Sequence, residues 1–163
     1  GGGDKSGEKE REPFRSLEAI VNIVERSRAS IVIEGRRWEG VRNYGEIIGF
    51  RNRADGDRWD VFVPGVREQL PVGEQLPLRR IYGVVLVKGG NHKLVVGLDP
   101  PYAPESRALV NADVQEFVKA YSREHPSTSS SRVRYLELDS HDGWISETTP
   151  LTVVGTPGGG VGG

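Results

Sequence analysis

Apolar positions along the chain switch from helical spacing to strand-like runs, return to helical spacing, and end in a second strand-like region. Leu17, Ile20, Val21 and Val24 recur at i, i+3, i+4 and i+7, with Arg15, Glu18, Glu25 and Arg26 on the opposite face. With Ser16 as N-cap, this spacing predicts an amphipathic helix that packs on a sheet. Ser30–Glu34, Glu46–Phe50, Trp59–Val63, Arg79–Val87 and Lys93–Leu98 then read as strands separated by Gly or Pro turns. Five consecutive strands predict a small antiparallel barrel, because closure removes the exposed edges of a twisted sheet. Gly83, inside its strand, marks a bulge or corner that helps such a barrel curve.

After Leu98 the pattern changes. Asp99-Pro100-Pro101-Tyr102-Ala103-Pro104 cannot continue a ladder and predicts an extended crossing loop. Asn111 is placed to cap a second amphipathic helix carrying Val114, Phe117, Val118 and Tyr121, which ends at His125-Pro126. Ser127–Ser131 reads as a polar link. Arg132–Leu138 and Gly143–Ser146 then form a final hairpin around His141-Asp142-Gly143. The alternation slips between Tyr135 and Leu136, as at a bulge. The fold class expected is therefore α+β, mainly β: an antiparallel barrel with two flanking helices in one domain over residues 13–154. Residues 1–12 and 155–163, rich in Gly or charge, read as flexible linkers, which suggests one module of a longer polypeptide.

Composition narrows the function classes. At 163 residues with 36% apolar content, the chain can bury the core of one domain. Lys and Arg number 22 against 23 Asp and Glu, a net charge of −1, so no whole-molecule field draws in nucleic acid or anionic lipid and any basic site is local. The absence of cysteine excludes disulfides, thiolate zinc sites and a cysteine nucleophile, and suits a cell or organelle interior better than secretion. No apolar run approaches the roughly 18 residues that span a bilayer, so no membrane insertion is expected. His92, His125 and His141 are too scattered for a zinc site and read as loop histidines. Trp38, Trp59 and Trp144 suit core closure, with a peptide groove as the alternative. Gly89-Gly90, beside Lys88 and Asn91, reads as a hairpin turn, with a phosphate-cradling loop as the other possibility.

The candidate chemistry lies in Asp55-Gly56-Asp57-Arg58-Trp59-Asp60, which enters a clear strand. Ionised carboxylates are hard oxygen ligands, so convergence of Asp55, Asp57 and Asp60 would suit Mg²⁺, Mn²⁺ or Ca²⁺. Asp-Gly between two strands is equally a hairpin signal that needs no metal. Asp55 and Asp57 share strand parity and Asp60 has the other, so convergence requires a bulge before Trp59.

Asn43-Tyr44-Gly45 precedes this cluster; Pro71-Val72-Gly73, then Arg79-Arg80-Ile81-Tyr82-Gly83-Val84, then Lys93 follow it. In this order and near this spacing, residues 43 to about 98 resemble the soluble Mg²⁺-dependent inorganic pyrophosphatases, a family with an OB-like barrel. The resemblance implies Asp55, Asp57 and Asp60 on metal, with Asp57 also activating the attacking water. It further implies Tyr44, Arg79, Arg80 and Lys93 toward phosphate or pyrophosphate.

The departures point to a different use. The family has further acidic ligands between the Gly-Val strand and its Lys, where this chain has Lys88-Gly89-Gly90-Asn91-His92. Only about ten residues replace its long N-terminal hairpin between Ile33 and Asn43, and its helical Tyr-Lys pair stands here as Tyr121-Ser122. Hydrolysis of pyrophosphate needs several divalent ions to neutralise the leaving phosphate. The expectation is accordingly a non-catalytic binding or structural module with protein partners and at most weak Mg²⁺ binding. The alternatives are a Mg²⁺-dependent phosphoanhydride hydrolase and an SH3-like interaction module.

Overall fold

The structure, a computed structural model, describes residues 17–52, 54–126 and 133–138 together with the backbone of 151–154 (the side chain of residue 18 excepted). In chain order the elements are α1 (Leu17–Arg26), β1 (Ser30–Gly35), β2 (Tyr44–Arg51), β3 (Arg58–Phe62), β4 (Gln75–Val87), β5 (Lys93–Leu98), α2 (Arg107–Glu124), β6 (Val133–Leu138) and β7 (Leu151–Val154). The strands are ordered β1-β2-β3-β5-β4-β6-β7, and β1 also pairs with β4. The first five strands therefore close on themselves as a barrel, from which β6 and β7 continue as an extension of the sheet.

The expectation of an antiparallel barrel is corrected at one seam. β3 and β5 run parallel, with Asp60 opposite Lys93 and Phe62 opposite Val95, while every other pairing is antiparallel. The reason is parity: strand direction cannot alternate all the way round a ring with an odd number of members, so a five-stranded closure must contain a parallel pair. Residues 63–74 make this possible by carrying the chain from the end of β3 to the start of β4, leaving the place beside β3 to β5.

Two apolar clusters lie on either side of the barrel wall. The interior holds Ile31, Ile47, Val61, Ile81, Val84, Leu94 and Val96, and Ile20, Val21 and Val24 of α1 join it. The second cluster sits between the outer wall and α2. There Val114, Phe117, Val118 and Tyr121 of the helix meet Tyr44, Phe62, Val85 and Val95 of the strands. The periodicities of both helices thus do what their spacing predicts. Trp59 is buried in the interior and Trp38 packs half-buried on the second cluster, in keeping with a core role; Trp144 lies outside the described residues, as do His141 and the Ser16 cap.

Several element boundaries differ from expectation for local reasons. α2 begins before Asn111, because Ser106 is its N-cap and accepts the Leu109 N–H through its hydroxyl at 3.0 Å. β4 begins at Gln75 rather than Arg79 and includes Pro77 opposite Ser30, where its pairing with β1 ends. β6 has no bulge: its register with β4 is regular from Val133 to Glu137. Tyr135 and Leu136 are both buried because β6 has a cluster on each face, Leu136 entering one and Tyr135 the other. On the side away from β4, β6 pairs with Leu151–Val154, and Gly143–Ser146 falls outside the described residues. The expected irregularity at Gly83 is present, with a register shift between Ile81 and Gly83. A Cβ at Gly83 would stand 2.3 Å from the Leu136 carbonyl oxygen, so no other residue fits there without displacing backbone.

Two buried polar side chains hold irregular backbone. Glu25, which helical spacing places on the polar side of α1, is fully buried and accepts the Ile81 N–H at 2.7 Å, beside the shift in β4. Asn43 is likewise buried. Its amide donates to the Glu68 carbonyl at 2.9 Å, and its Oδ1 accepts from Leu70 N at 2.9 Å and Gln69 Nε2 at 3.0 Å. One side chain thereby fixes the crossing that parity requires. Asn43→Ala would leave the buried Leu70 N–H without an acceptor and is expected to destabilise the fold by about 2–4 kcal/mol, measured as a lower urea midpoint with unchanged slope.

Candidate functional site

The polar centre follows from register. Glu46 pairs with Asp60, and Asp60 pairs with Lys93, so three ionisable residues stand in one row across β2, β3 and β5. Strand alternation returns Tyr44, Phe62 and Val95 to the same outer face two residues further on, and α2 lies over them. Phe117 comes within 4.7 Å of the Phe62 ring centre and stacks with Tyr44 at 5.8 Å. A charged row is thus pressed against an aromatic layer.

Within that row, one oxygen takes two donors. Asp60 Oδ2 accepts from the Tyr44 hydroxyl at 2.7 Å and from Lys93 Nζ at 2.9 Å. Lys93 retains 3% of its exposure and Asp60 20%. The ammonium also lies 5.5 Å from the centre of the Tyr121 ring, a cation–π contact that offsets part of its lost hydration. Burial, followed by the charge of Asp60 and its hydrogen bond, pushes the Tyr44 phenol well above its ordinary range, so this hydroxyl is a committed donor. Glu46 is also raised, first by burial and then by the nearby charges of Glu34, Asp60 and Asp57, with Arg37 opposing.

Trp38 covers this region from the turn after β1. It stands edge-on to Phe117, Tyr121 and His125 at 5.9, 5.6 and 5.7 Å, and the Arg37 guanidinium lies 5.1 Å from the Tyr44 ring centre. The turn is closed by hydrogen bonds from Val41 N to the Trp38 carbonyl and from Arg37 N to the Val41 carbonyl. Tyr121 and Glu46 were not among the site residues expected from sequence, while Arg37 entered only as one of three arginines that could replace a missing phosphate-binding cation and Trp38 only as one of three tryptophans that could mark a peptide groove. Tyr121 carried a signal, as the tyrosine matched to the family's helix, whereas the other three become neighbours only through tertiary structure.

Of the residues expected to act together, Tyr44, Asp60 and Lys93 meet. Asp55 and Asp57 lie in the exposed turn between β2 and β3, where Asp55 Oδ1 accepts the Asp57 N–H at 2.9 Å. Asn52 holds that turn, accepting Ala54 N on Oδ1 and donating to the Gly90 carbonyl. Among the described residues no three His, Cys, Asp or Glu side chains are grouped so that they could hold a metal ion together, and Asp60 is separated from the turn that carries Asp55 and Asp57. Arg79 pairs with Asp99 at 2.8 Å, and Arg80 lies over the Tyr82 ring. Arg80 stands opposite Gly97, at the other end of β5 from Lys93.

His92 is structural. Its Nδ1 accepts the Val87 N–H at 3.0 Å across the Gly89-Gly90 turn, so its ring proton resides on Nε2. Burial first, and then the Lys93 charge, lower its pKa.

No helix among the described residues is long and apolar enough to cross a membrane. No protein-family model and no curated protein matches the chain.

Two outcomes follow from this geometry. Asp60→Asn leaves a buried ammonium without its counter-charge and is expected to cost about 3–5 kcal/mol, whereas Lys93→Met leaves a carboxylate that still reaches water and Tyr44 and should cost less. Chemical denaturation of the two variants and of the double mutant checks that order, and the double mutant should recover part of the loss. For His92, the unfolded ring titrates near about 6.5 and the folded ring lower, so the unfolded chain binds more protons between those values. Stability is then full above about pH 6.5 and declines as pH falls through that window. His92→Gln should flatten this part of a melting-temperature profile.

Proposed function

We propose that this chain is a non-catalytic binding module built on an inorganic-pyrophosphatase-like barrel. The observation that carries the reading is the use of Asp60 Oδ2, which accepts both the Tyr44 hydroxyl and the Lys93 ammonium. A carboxylate that holds a divalent ion must present its oxygens to a point shared with other ligands. Asp60 is instead neutralised by its own neighbours, while Asp55 and Asp57 face solvent from a turn ordered by their own backbone contact. Lys93, the cation that phosphate would need, is directed at Asp60 and the Tyr121 ring.

The competing reading is a Mg²⁺-dependent hydrolase of pyrophosphate or a related phosphoanhydride, with Asp57 as base, Asp55 and Asp60 on metal, and Lys93, Arg79 and Arg80 on phosphate. The convergence of Tyr44, Asp60 and Lys93 favours it, because a hydroxyl, a carboxylate and a cation at one point are groups that phosphoryl chemistry uses. Against it stands the electrostatics of the leaving phosphate. Each tenfold loss of rate corresponds to about 1.4 kcal/mol of barrier, and several ion ligands are lacking at once.

A phosphate-release assay on pyrophosphate with excess Mg²⁺ separates the two. The binding module should release little phosphate and show no difference between the native chain and Asp57→Asn. Turnover that Asp57→Asn abolishes would establish the hydrolase instead.

A further inference from the structure

A second charged region lies away from the Asp60 row, where β4, β5 and β6 meet the start of α2. Tyr82 lies half-buried there, with its hydroxyl edge against Gly97; a Cβ at that glycine would stand 2.5 Å from the phenolic oxygen. The Arg80 guanidinium is 5.8 Å from the Tyr82 ring centre. The charges acting on the Tyr82 hydroxyl are those of Arg80, Arg107 and Arg79, which work against the burial that raises its pKa. Arg80 lies over the ring, Arg79 is the chain neighbour of Arg80, and Arg107 is brought to the same stretch through Glu137, which pairs opposite Gly83.

Their present partners leave them available. Arg107 pairs with Glu137 at 2.8 Å, and both Arg79 and Arg28 share the single carboxylate of Asp99. The arginine side chains in these pairs are 41–65% exposed, a setting in which ion pairs are worth roughly 0–1 kcal/mol. Arg80 meets no carboxylate among the described residues; its contact is the Tyr82 ring. Among the described residues, four guanidinium groups here face two carboxylates, a local excess of positive charge on a chain whose net charge is −1.

We propose that this face binds an acidic, carboxylate-bearing segment of a partner protein, held by Arg79, Arg80 and Arg107 around Tyr82. The proposal rests on the binding-module reading above and supplies its partner chemistry. Guanidinium groups match carboxylates through paired hydrogen bonds, and Arg80 is already placed by its aromatic contact, which lowers the cost of ordering it. Val72 is the one large hydrophobic residue that is exposed among the described residues, so an apolar anchor is lacking and recognition falls to charge. Single-stranded nucleic acid fits less well. It needs open aromatic faces for stacking, and the Tyr82 ring is taken up by Gly97 at its hydroxyl edge and by Arg80 over it.

The test is fluorescence anisotropy of a labelled decamer of glutamate titrated with the full chain at low salt. Saturable binding is expected, weakened about tenfold by Arg80→Gln and by Arg107→Gln, each the loss of one charge-assisted hydrogen bond. It should be unchanged by Arg123→Gln in the last turn of α2, and circular dichroism should show all three variants folded. Absence of saturable binding, equal weakening by all three variants, or tighter binding of a thymidine decamer than of the glutamate decamer would overturn the proposal. Phosphate release from pyrophosphate is measured on the same preparations. Turnover abolished by Asp57→Asn overturns the non-catalytic reading, whereas loss of glutamate binding without turnover overturns the acidic-partner proposal alone.

Discussion

Closure of a five-membered ring of strands is the constraint on which the other features depend. Because direction cannot alternate around an odd ring, the β1–β4 contact obliges β3 and β5 to lie parallel. Parallel neighbours cannot be joined by a tight turn, so the chain must leave β3, cross, and build β4 before β5 can take its place. The crossing at residues 63–74 is irregular backbone, and Asn43 supplies hydrogen bonds that a strand partner would otherwise provide. The same parallel seam sets Lys93 beside Asp60, so the topology and the polar centre have one origin.

The barrel wall separates two apolar environments, and the ionisable groups caught between them account for much of the chemistry. A buried ammonium is costly unless charge and hydrogen bonds replace its hydration. Lys93 receives Asp60 and the Tyr121 ring, and Tyr44 adds its hydroxyl to the same carboxylate oxygen. The Tyr121 contact requires α2 to be docked, and Phe117 of the same helix packs on Tyr44. The centre therefore ties the helix to the wall as well as grouping a hydroxyl, a carboxylate and a cation at one point. Removing the charge or the helix would disturb both roles together, which is why the proposed function rests on how Asp60 is engaged and not on the residue types present.

Much of the architecture was legible in local pattern. The strands begin or end within a few residues of their periodicity, and the apolar faces of both helices are buried as their spacing requires. The failures have separate causes. Pro77 hides the start of β4, because a proline argues against a strand unless the ladder hydrogen bond it lacks is not required there. Ser106 caps α2 from within a Pro-rich loop, and four helical residues between it and Asn111 carry little periodic signal. Glu25 occupies a polar position of its helix yet is buried, since beside the irregularity in β4 it accepts the Ile81 N–H. Tyr135 and Leu136 imitate a bulge because β6 is covered on both faces, where adjacent apolar residues are what burial demands.

The sequence by itself determined which residues carry chemistry and where elements form, because helix and strand periods, caps and turns act over a few neighbouring positions. Asp60 could be named from its acidic turn, whereas Tyr44 and Lys93 became candidates only through the resemblance to the pyrophosphatase family. Whether they meet, and whether Asp55 and Asp57 join them, was decided only by tertiary structure. Asp60 and Lys93 are 33 positions apart, and their contact depends on the direct pairing of β3 with β5, strands that β4 separates in sequence. A shift of one residue in that pairing would turn one of the two side chains to the opposite face of the wall. Asp55 and Asp57 do not bond to Asp60 for a local reason that becomes decisive only in the folded barrel: their turn satisfies its own backbone and is clamped by Asn52 to the neighbouring Gly90 turn, so Asp57 reaches the row only through its charge on Glu46.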